Sequence, residues 1–242
     1  MDDVCIDIVQ LTKGFANFKQ KAIDGLSVQI KRGKMVGVIG ADGAGKTTLL
    51  RLICGLLKAD EGSIQVLGKN PLADKEQLMP KIGYMPQKFG LYEDLTVIEN
   101  LKFFAALKNV AEKFDFLPLL RFADLDKFQH RLAGKLSGGM KQKLGLICAM
   151  LGQPELIVLD EPSVGVDPVS RQELMKMVKQ SVHGNTTVLW STAYMDEAMA
   201  FDEVIVLDKG KVIFQGKPLD LGKDAFEFEE KIVELMGGAH IR

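Results

Sequence analysis

Cysteine, net charge and long apolar runs are all scarce in this chain. Its three cysteines, Cys5, Cys54 and Cys148, lie far apart and include no CxxC pair. This excludes a small disulfide-stapled scaffold and provides no redox or metal-binding motif, so we expect buried, reduced thiols in a cytosolic protein. The 31 Lys and Arg nearly balance the 32 Asp and Glu, for a net charge of -1. No global charge therefore attracts nucleic acid or an anionic membrane.

Membrane-spanning and secretory signals are also missing from the sequence. The apolar runs, such as that from Leu156 to Leu159, are far shorter than the ~18 residues of a membrane-spanning helix. The start, Met1-Asp2-Asp3, is acidic where a signal peptide is basic. We therefore expect a soluble chain. Its 242 residues, 47% hydrophobic and 26% charged, allow a sizeable core in one large domain or two small interlocked ones.

Short apolar runs predict β-strands, and longer stretches with apolar residues at helical spacing predict helices. The expected strands are Val4–Leu11, Leu26–Ile30, Val36–Ile39, Ile64–Leu67, Ile82–Met85, Leu156–Leu159, Thr187–Trp190, Val204–Leu207 and Val212–Phe214. The helices among them are Lys46–Leu57, Val169–Val182 and Met195–Phe201. Because strands alternate with helices, we expect an α/β fold with a mostly parallel, helix-covered sheet.

One region from about Phe89 to Gln153 has helical patterns but no strong strand run. Its predicted helices are Thr96–Leu107, Phe114–Phe122 and Met140–Leu151. We predict a helical subdomain at 89–153 inserted into a core of residues 1–88 and 154–222, followed by a tail at 223–242. The tail contains a predicted amphipathic helix, Asp224–Met236, that ends at Gly237-Gly238.

A glycine-rich loop follows the predicted strand at 36–39 and opens the next helix. It satisfies the phosphate-loop pattern, in which backbone N–H groups wrap a phosphate chain. We expect Lys46 to neutralise the outer phosphates and the Thr47 hydroxyl to ligate Mg²⁺. The predicted nucleotide-binding residues of this loop are Gly40, Asp42, Gly43, Ala44, Gly45, Lys46, Thr47 and Thr48.

Two adjacent carboxylates, Asp160 and Glu161, end the buried strand run at 156–159. Ends of parallel strands are common places for catalytic groups. Beside a phosphate loop, we expect Asp160 to hold Mg²⁺ and Glu161 to polarise the attacking water.

A third element, Leu136-Ser137-Gly138-Gly139-Met140-Lys141-Gln142, begins a predicted helix. Here the chain resembles the ATP-binding cassette (ABC) ATPases, whose signature is LSGGxxQ, and the resemblance covers about residues 6–216. It implies a RecA-like P-loop NTPase core with a mixed parallel sheet, an antiparallel β subdomain and the helical subdomain. It also implies that two cassettes dimerise head to tail and sandwich each ATP between one phosphate loop and the other's Ser137, Gly138 and Gly139. Ser137 is also expected to cap its helix.

Smaller elements follow from the same resemblance. Phe15 lies where the family stacks an aromatic side chain on adenine, although Phe18 is nearby and either could belong to the core. Gln87 resembles the glutamine that contacts Mg²⁺ and the attacking water. Asp167 matches the loop that communicates across the dimer.

One position departs from the family pattern. In Trp190-Ser191-Thr192-Ala193-Tyr194, Ala193 stands where the family usually has a histidine that donates to the γ-phosphate. Loss of one such donor can cost on the order of a hundredfold in rate, so we expect weak ATP hydrolysis at this site. By sequence position, none of His130, His183 and His240 replaces the missing group.

The region after Gln87 is most similar to bacterial ABC-2-type drug or ion exporters, a group in which one polypeptide often carries two cassettes. The resemblance implies a second cassette, transmembrane permease subunits and a place at the cytoplasmic face of the membrane. The groove expected to receive the permease is lined by Phe89, Leu91, Tyr92, Phe103 and Phe104, although such apolar side chains usually pack inward. A soluble ABC ATPase acting on ribosomes and a regulatory cassette with little turnover remain alternatives. We expect no nucleic-acid partner.

Overall fold

The computed structural model describes residues 3–16, 20–88, 90–110, 114–182, 184 and 186–236. Its strands are β1 (Val4–Lys13), β2 (Ile23–Lys31), β3 (Met35–Ile39), β4 (Glu61–Val66), β5 (Ile82–Met85), β6 (Leu156–Asp160), β7 (Thr187–Thr192), β8 (Glu203–Asp208) and β9 (Lys211–Gly216). Its α-helices are α1 (Lys46–Ile53), α2 (Lys75–Leu78), α3 (Val97–Leu107), α4 (Leu117–Phe122), α5 (Gly138–Met150), α6 (Pro168–Ser181) and α7 (Ala225–Leu235).

Two sheets organise the chain. The larger has the order β5-β6-β7-β3-β8-β9, in which only the last strand runs antiparallel to its neighbour. The smaller is antiparallel, with β1 between β2 and β4. This confirms the expected mostly parallel sheet, and every predicted strand is present with small differences at its ends.

The central strands are buried on both faces because each face carries its own apolar cluster. Ile157 and Leu159 of β6 face the cluster that includes α3, α5, α6 and α7. Leu156 and Val158 face the cluster formed with α1 and the smaller sheet. Alternation along one strand thus joins two cores.

Three predicted helices differ from the structure. The first ends at Ile53 rather than Leu57, because Gly55 has a φ of +64° and lies against the carbonyl of Pro71. The helix predicted at Phe114–Phe122 begins only at Leu117, whose N–H donates to the Asp115 side chain. The segment Met195–Ala200 is a 3₁₀-helix, closed by three-residue bonds such as that from Phe201 N–H to the Ala198 carbonyl.

The sheet order places several loops at one edge. The parallel strands β3, β5, β6 and β7 all end there, with Asp160 opposite Ser191 and Ile39 opposite Thr192. Loops at this edge of a parallel sheet can meet in a single crevice. Within the described ranges, no helix is both long and apolar enough to cross a membrane.

Candidate functional site

The loop between β3 and α1 is tightly wound, and two of its glycines are sterically required. Gly45 has a φ of +110°, and a Cβ there would collide with the carbonyl oxygen of Ala22. A Cβ on Gly40 would lie 2.5 Å from the carbonyl oxygen of Leu207. The loop therefore brings the first N–H groups of α1 to the edge of the sheet, where they can bind an anion.

Lys46 is folded into this loop. Its side chain is only 4% exposed, and Nζ donates to the carbonyl oxygens of Gly40 at 2.8 Å and Ala41 at 3.2 Å. The same Nζ lies 3.0 Å from Oε1 of Glu161. The buried ammonium is thus paired with a buried carboxylate, as a charge in such a place must be.

Glu161 also joins the site to the segment after β5. Its Oε2 accepts a hydrogen bond of 2.7 Å from Nε2 of Gln87. The backbone of Glu161 has a φ of +50°, a left-handed conformation that costs a non-glycine residue on the order of 1–3 kcal/mol. Its N–H donates to the Ser191 hydroxyl at 2.9 Å, which helps to hold that conformation.

Asp160 uses one carboxylate oxygen and leaves the other free. Oδ1 accepts hydrogen bonds from the hydroxyls of Thr47 at 3.0 Å and Ser191 at 2.9 Å. Among the described residues, nothing donates to the buried Oδ2. Burial raises the pKa of Asp160 above its ordinary value, the two hydroxyl bonds lower it, and the charge of Glu161 raises it again. A buried oxygen ligand without a partner, beside the oxygen of Thr47, fits a hard divalent cation such as Mg²⁺.

A cleft of about 790 Å³ opens above these groups. The site residues predicted from the sequence that line this cleft are Phe15, Asp42, Gly43, Gly45, Lys46, Thr47, Thr48, Gln87 and Glu161. Phe15 is 39% exposed at its rim, where a ring can stack on a base. The predicted residues Gly40 and Ala44 are buried and are not among the described residues that line the cleft. The alternative aromatic residue, Phe18, lies outside the described residues.

Four residues of this site were not predicted from the sequence. Gln20, Lys21 and Ala22 line the cleft, although no motif marks them. Ser191 contacts both carboxylate residues at the end of β6. The available signal for Ser191 was a small polar residue at the end of an apolar strand run, but only the pairing of β6 with β7 gives it a partner.

The second glycine-rich turn lies elsewhere on the surface. Ser137 caps α5, as predicted, by accepting from Met140 N–H at 3.3 Å. Ser137 and Gly138 are exposed, and a Cβ on Gly139 would lie 2.8 Å from the Ser170 hydroxyl in α6. Within the described part of the chain, these three residues do not line the cleft. Asp167 caps α6 next to them through bonds from Val169 and Ser170 N–H.

Ala193 is exposed at the end of β7. The next residue, Tyr194, lies under the Arg171 guanidinium, 4.4 Å from its ring centroid. His130 is not among the residues that line the described cleft, and His183 and His240 lie outside the described residues.

The aromatic residues after Gln87 are only partly in the core. Leu91 and Phe104 pack partly against it, as expected, whereas Tyr92 is 47% exposed. The core expectation is wrong for Tyr92. The buried Asn100 holds the Tyr92 backbone, accepting from its N–H at 2.9 Å and donating to its carbonyl at 3.0 Å. Phe89 lies outside the described residues.

A family model described as ABC transporter matches residues 23–164, more than half of the chain. The chain belongs to the ABC transporter family. The ATP-binding domains of ABC transporters are nucleotide-binding ATPases, and this chain is a domain of that kind with the α/β P-loop NTPase fold.

Curated ABC relatives include several named for drug transport or drug resistance. The Escherichia coli strain K12 protein "Probable multidrug ABC transporter ATP-binding protein YbhF" is 49% identical over 221 residues, which are 90% of this chain and 38% of that protein. This chain therefore spans well under half of that relative's length. The bacitracin transport ATP-binding protein BcrA of Bacillus licheniformis is 34% identical over 86% of this chain and 68% of its own. The daunorubicin resistance ATP-binding protein DrrA3 of Streptomyces coeruleorubidus is 36% identical over 89% and 69%, respectively.

Solved structures of ABC cassettes have the same fold. An ATP-binding subunit of an ABC transporter is similar with a TM-score of 0.83 and 29% identity over 96% of this chain and 99% of its own. The cassette MJ0796, solved as a dimer in a post-hydrolysis state with ADP and Pi, has a TM-score of 0.79 and 26% identity over 88% of this chain and 98% of its own.

Proposed function

We propose that this chain binds and hydrolyses ATP to power an exporter of drugs or ions. The observation that carries the proposal is that Lys46, Thr47, Gln87, Asp160 and Glu161 meet at one cleft. A phosphate-binding loop, a cation-binding carboxylate and a candidate base are the parts that phosphoryl transfer to water requires. The names of two relatives, a probable multidrug transporter protein and a daunorubicin resistance protein, support drugs as the substrate class.

ATP binding begins with an exchange of partners in the cleft. Without nucleotide, the Lys46 ammonium is neutralised by Glu161. The phosphate chain of ATP offers Lys46 a competing set of anionic oxygens, so its binding releases the Glu161 carboxylate to accept a proton from water. Phe15, at the rim, stacks on the adenine, and the amides of residues 43–48 bind the phosphates.

Hydrolysis depends on the released Glu161. Gln87, which donates to its Oε2, orients both the carboxylate and the attacking water. Thr47 and Asp160 would hold Mg²⁺, which would supply positive charge to stabilise the phosphate oxygens. Ala193 supplies no donor to that charge, so we expect slow turnover, with ADP and phosphate as products.

The second cassette completes the site from outside. The exposed turn at Ser137 and Gly138 opens a helix N-terminus, which favours an anion, yet it lies away from the cleft of its own chain. Head-to-tail pairing with another copy or a related cassette brings such a turn to the γ-phosphate. ATP then favours the closed pair by a shift in population.

Closure is transmitted to permease subunits at the cytoplasmic face of the membrane. The permease is expected to dock beside Gln87, where the rings of Tyr92 and Phe103 lie 4.6 Å apart and those of Phe103 and Phe104 lie 5.6 Å apart. The exposed Tyr92 ring gives this group an accessible edge, which suits an apolar segment of a permease.

A regulatory cassette with little turnover is the second candidate, favoured by the exposed alanine at position 193. ATP turnover of Ala193→His distinguishes the two functions. We expect a rise on the order of tenfold or more, because the histidine restores a donor to the γ-phosphate. The same assay is run with a candidate permease, a membrane protein that should stimulate turnover further.

Glu161→Gln in the Ala193→His background is the matched control and should abolish the gain. An unchanged rate in Ala193→His, with ATP bound and the membrane protein without effect, would overturn the proposed hydrolytic exporter and leave the regulatory cassette.

A further inference from the structure

We propose that Ser191 is a positioning residue that sets how the cation-binding carboxylate of Asp160 and the candidate base Glu161 are presented to Mg²⁺ and ATP. This inference rests on the proposed function, because it concerns the same cleft. Ser191 itself is completely buried and does not line that cleft among the described residues. It therefore acts through its two neighbours.

The first step concerns the orientation of Asp160. Its side chain can rotate about Cβ–Cγ, and the Ser191 hydroxyl fixes it by donating to Oδ1 at 2.9 Å. Thr47 donates to the same oxygen at 3.0 Å. Both donors on one side leave Oδ2 without a partner among the residues of the described ranges, although it is buried. A lone, buried carboxylate oxygen is costly unless a cation or a water satisfies it.

The Thr47 hydroxyl can still act as a ligand in this arrangement. It uses only its hydrogen in the bond to Asp160, so its oxygen keeps lone pairs for a cation. A single Ser191 hydrogen bond thus favours the rotamer of Asp160 in which Oδ2 and the Thr47 oxygen are both available as hard ligands.

The second step concerns Glu161. A hydroxyl can donate one hydrogen and accept on its oxygen at the same time. Ser191 does both, since its oxygen also accepts from Glu161 N–H at 2.9 Å. That bond stabilises the left-handed backbone of Glu161, with a φ of +50°. The Glu161 carboxylate can then reach both Lys46 and Gln87.

A purely structural role for Ser191 makes a different prediction. A buried hydroxyl that only stabilises the fold would weaken nucleotide binding with and without Mg²⁺ to the same degree. A residue that orients a metal ligand alters only the gain in nucleotide affinity that Mg²⁺ provides. For residues that contact a metal ligand rather than the metal, this effect is about 10- to 100-fold.

The test is the affinity for the non-hydrolysable analogue AMPPNP, measured by calorimetry in EDTA and again in excess Mg²⁺. In Ser191→Ala we expect the gain in affinity from Mg²⁺ to fall about tenfold or more relative to wild type. Affinity in EDTA should change less than twofold. Ser191→Thr keeps the hydroxyl and should restore the Mg²⁺ gain, while Ser191→Cys keeps the side-chain volume and serves if the alanine variant does not fold.

Thr187→Val is the matched control. Thr187 is also buried in β7, but its hydroxyl accepts from Gly33 N–H at the other end of the strand. We expect it to lose stability to urea while keeping the wild-type Mg²⁺ gain. An unchanged Mg²⁺ gain in Ser191→Ala, or an equal loss with and without Mg²⁺, would overturn the positioning role. If wild-type protein itself bound no AMPPNP, the proposed function would fail instead.

Discussion

At the scale of single residues, the cleft is a set of charges that neutralise one another until a nucleotide enters. Lys46 and Glu161 are 4% and 8% exposed, and each is the other's counter-ion. A buried pair of this kind is held less by its net energy than by the cost of leaving either member alone. In the proposed mechanism, the phosphate chain of ATP replaces Glu161 as the partner of Lys46 and so releases the Glu161 carboxylate.

Lys46→Ala tests this arrangement. It removes the cation of the phosphate loop, so we expect ATP affinity to fall at least a hundredfold. It also strands the buried Glu161 carboxylate, so the free energy of unfolding in urea should fall by about 3–5 kcal/mol. The control is Lys46→Ala with Glu161→Gln, which removes the stranded charge. This double variant should recover much of the stability and none of the ATP binding; unchanged ATP affinity in Lys46→Ala would contradict the assignment of the loop.

At the scale of elements, the helices between β5 and β6 are tied together by polar contacts as well as by apolar packing. Lys108, just after α3, donates from Nζ to the carbonyl oxygens of Ala149 at 2.7 Å and Leu151 at 3.1 Å. These carbonyls lie at the end of α5, where carbonyl groups lack partners within the helix. The N-terminus of α5 follows the glycine-rich turn at Ser137. Lys108 therefore stabilises the position of the helix that carries Ser137 at its start.

This contact predicts a pH dependence. Burial lowers the pKa of Lys108 to about 8, against 10.5 for an exposed lysine. Between these values the unfolded chain binds a proton that the folded chain does not, so the Lys108 contribution to the free energy of unfolding rises with pH. We expect wild type to gain about 2 kcal/mol relative to Lys108→Met between pH 7 and pH 10 in urea titrations. A constant difference between the two proteins would show that Lys108 keeps its ordinary pKa.

How far the sequence predicts this molecule depends on the range of the interaction. The strands follow from apolar runs, and the phosphate loop from contiguous residues, so both are predicted closely. Ser191 acquires its role only from the pairing of β6 with β7, a long-range choice that local pattern does not contain. The end of the first helix was missed for the same reason, because Gly55 is held against Pro71 from another segment.

At the scale of the whole molecule, the proposed function needs two glycine-rich turns, the loop at Gly45 and the turn at Ser137, to contact the same triphosphate. In this chain the turn at Ser137 does not line the described cleft that contains Gly45. The sheet edge gathers the loop at Gly45 with the carboxylates of β6. The turn at Ser137 opens α5 beside the start of α6, exposed to solvent. The proposed sandwich therefore needs a second cassette, either another copy of this chain or a related cassette, and pairing between copies can be tested with the purified chain.

The most direct test joins the two turns covalently. Ser137→Cys and Asp42→Cys are combined in the Glu161→Gln background, which holds ATP, and disulfide crosslinking between copies is measured with ATP, with ADP and without nucleotide. The single-cysteine variants control for the native thiols. We predict a crosslinked dimer that forms at least tenfold more with ATP than with ADP or without nucleotide. Equal crosslinking in all three conditions, with ATP demonstrably bound, would contradict the account.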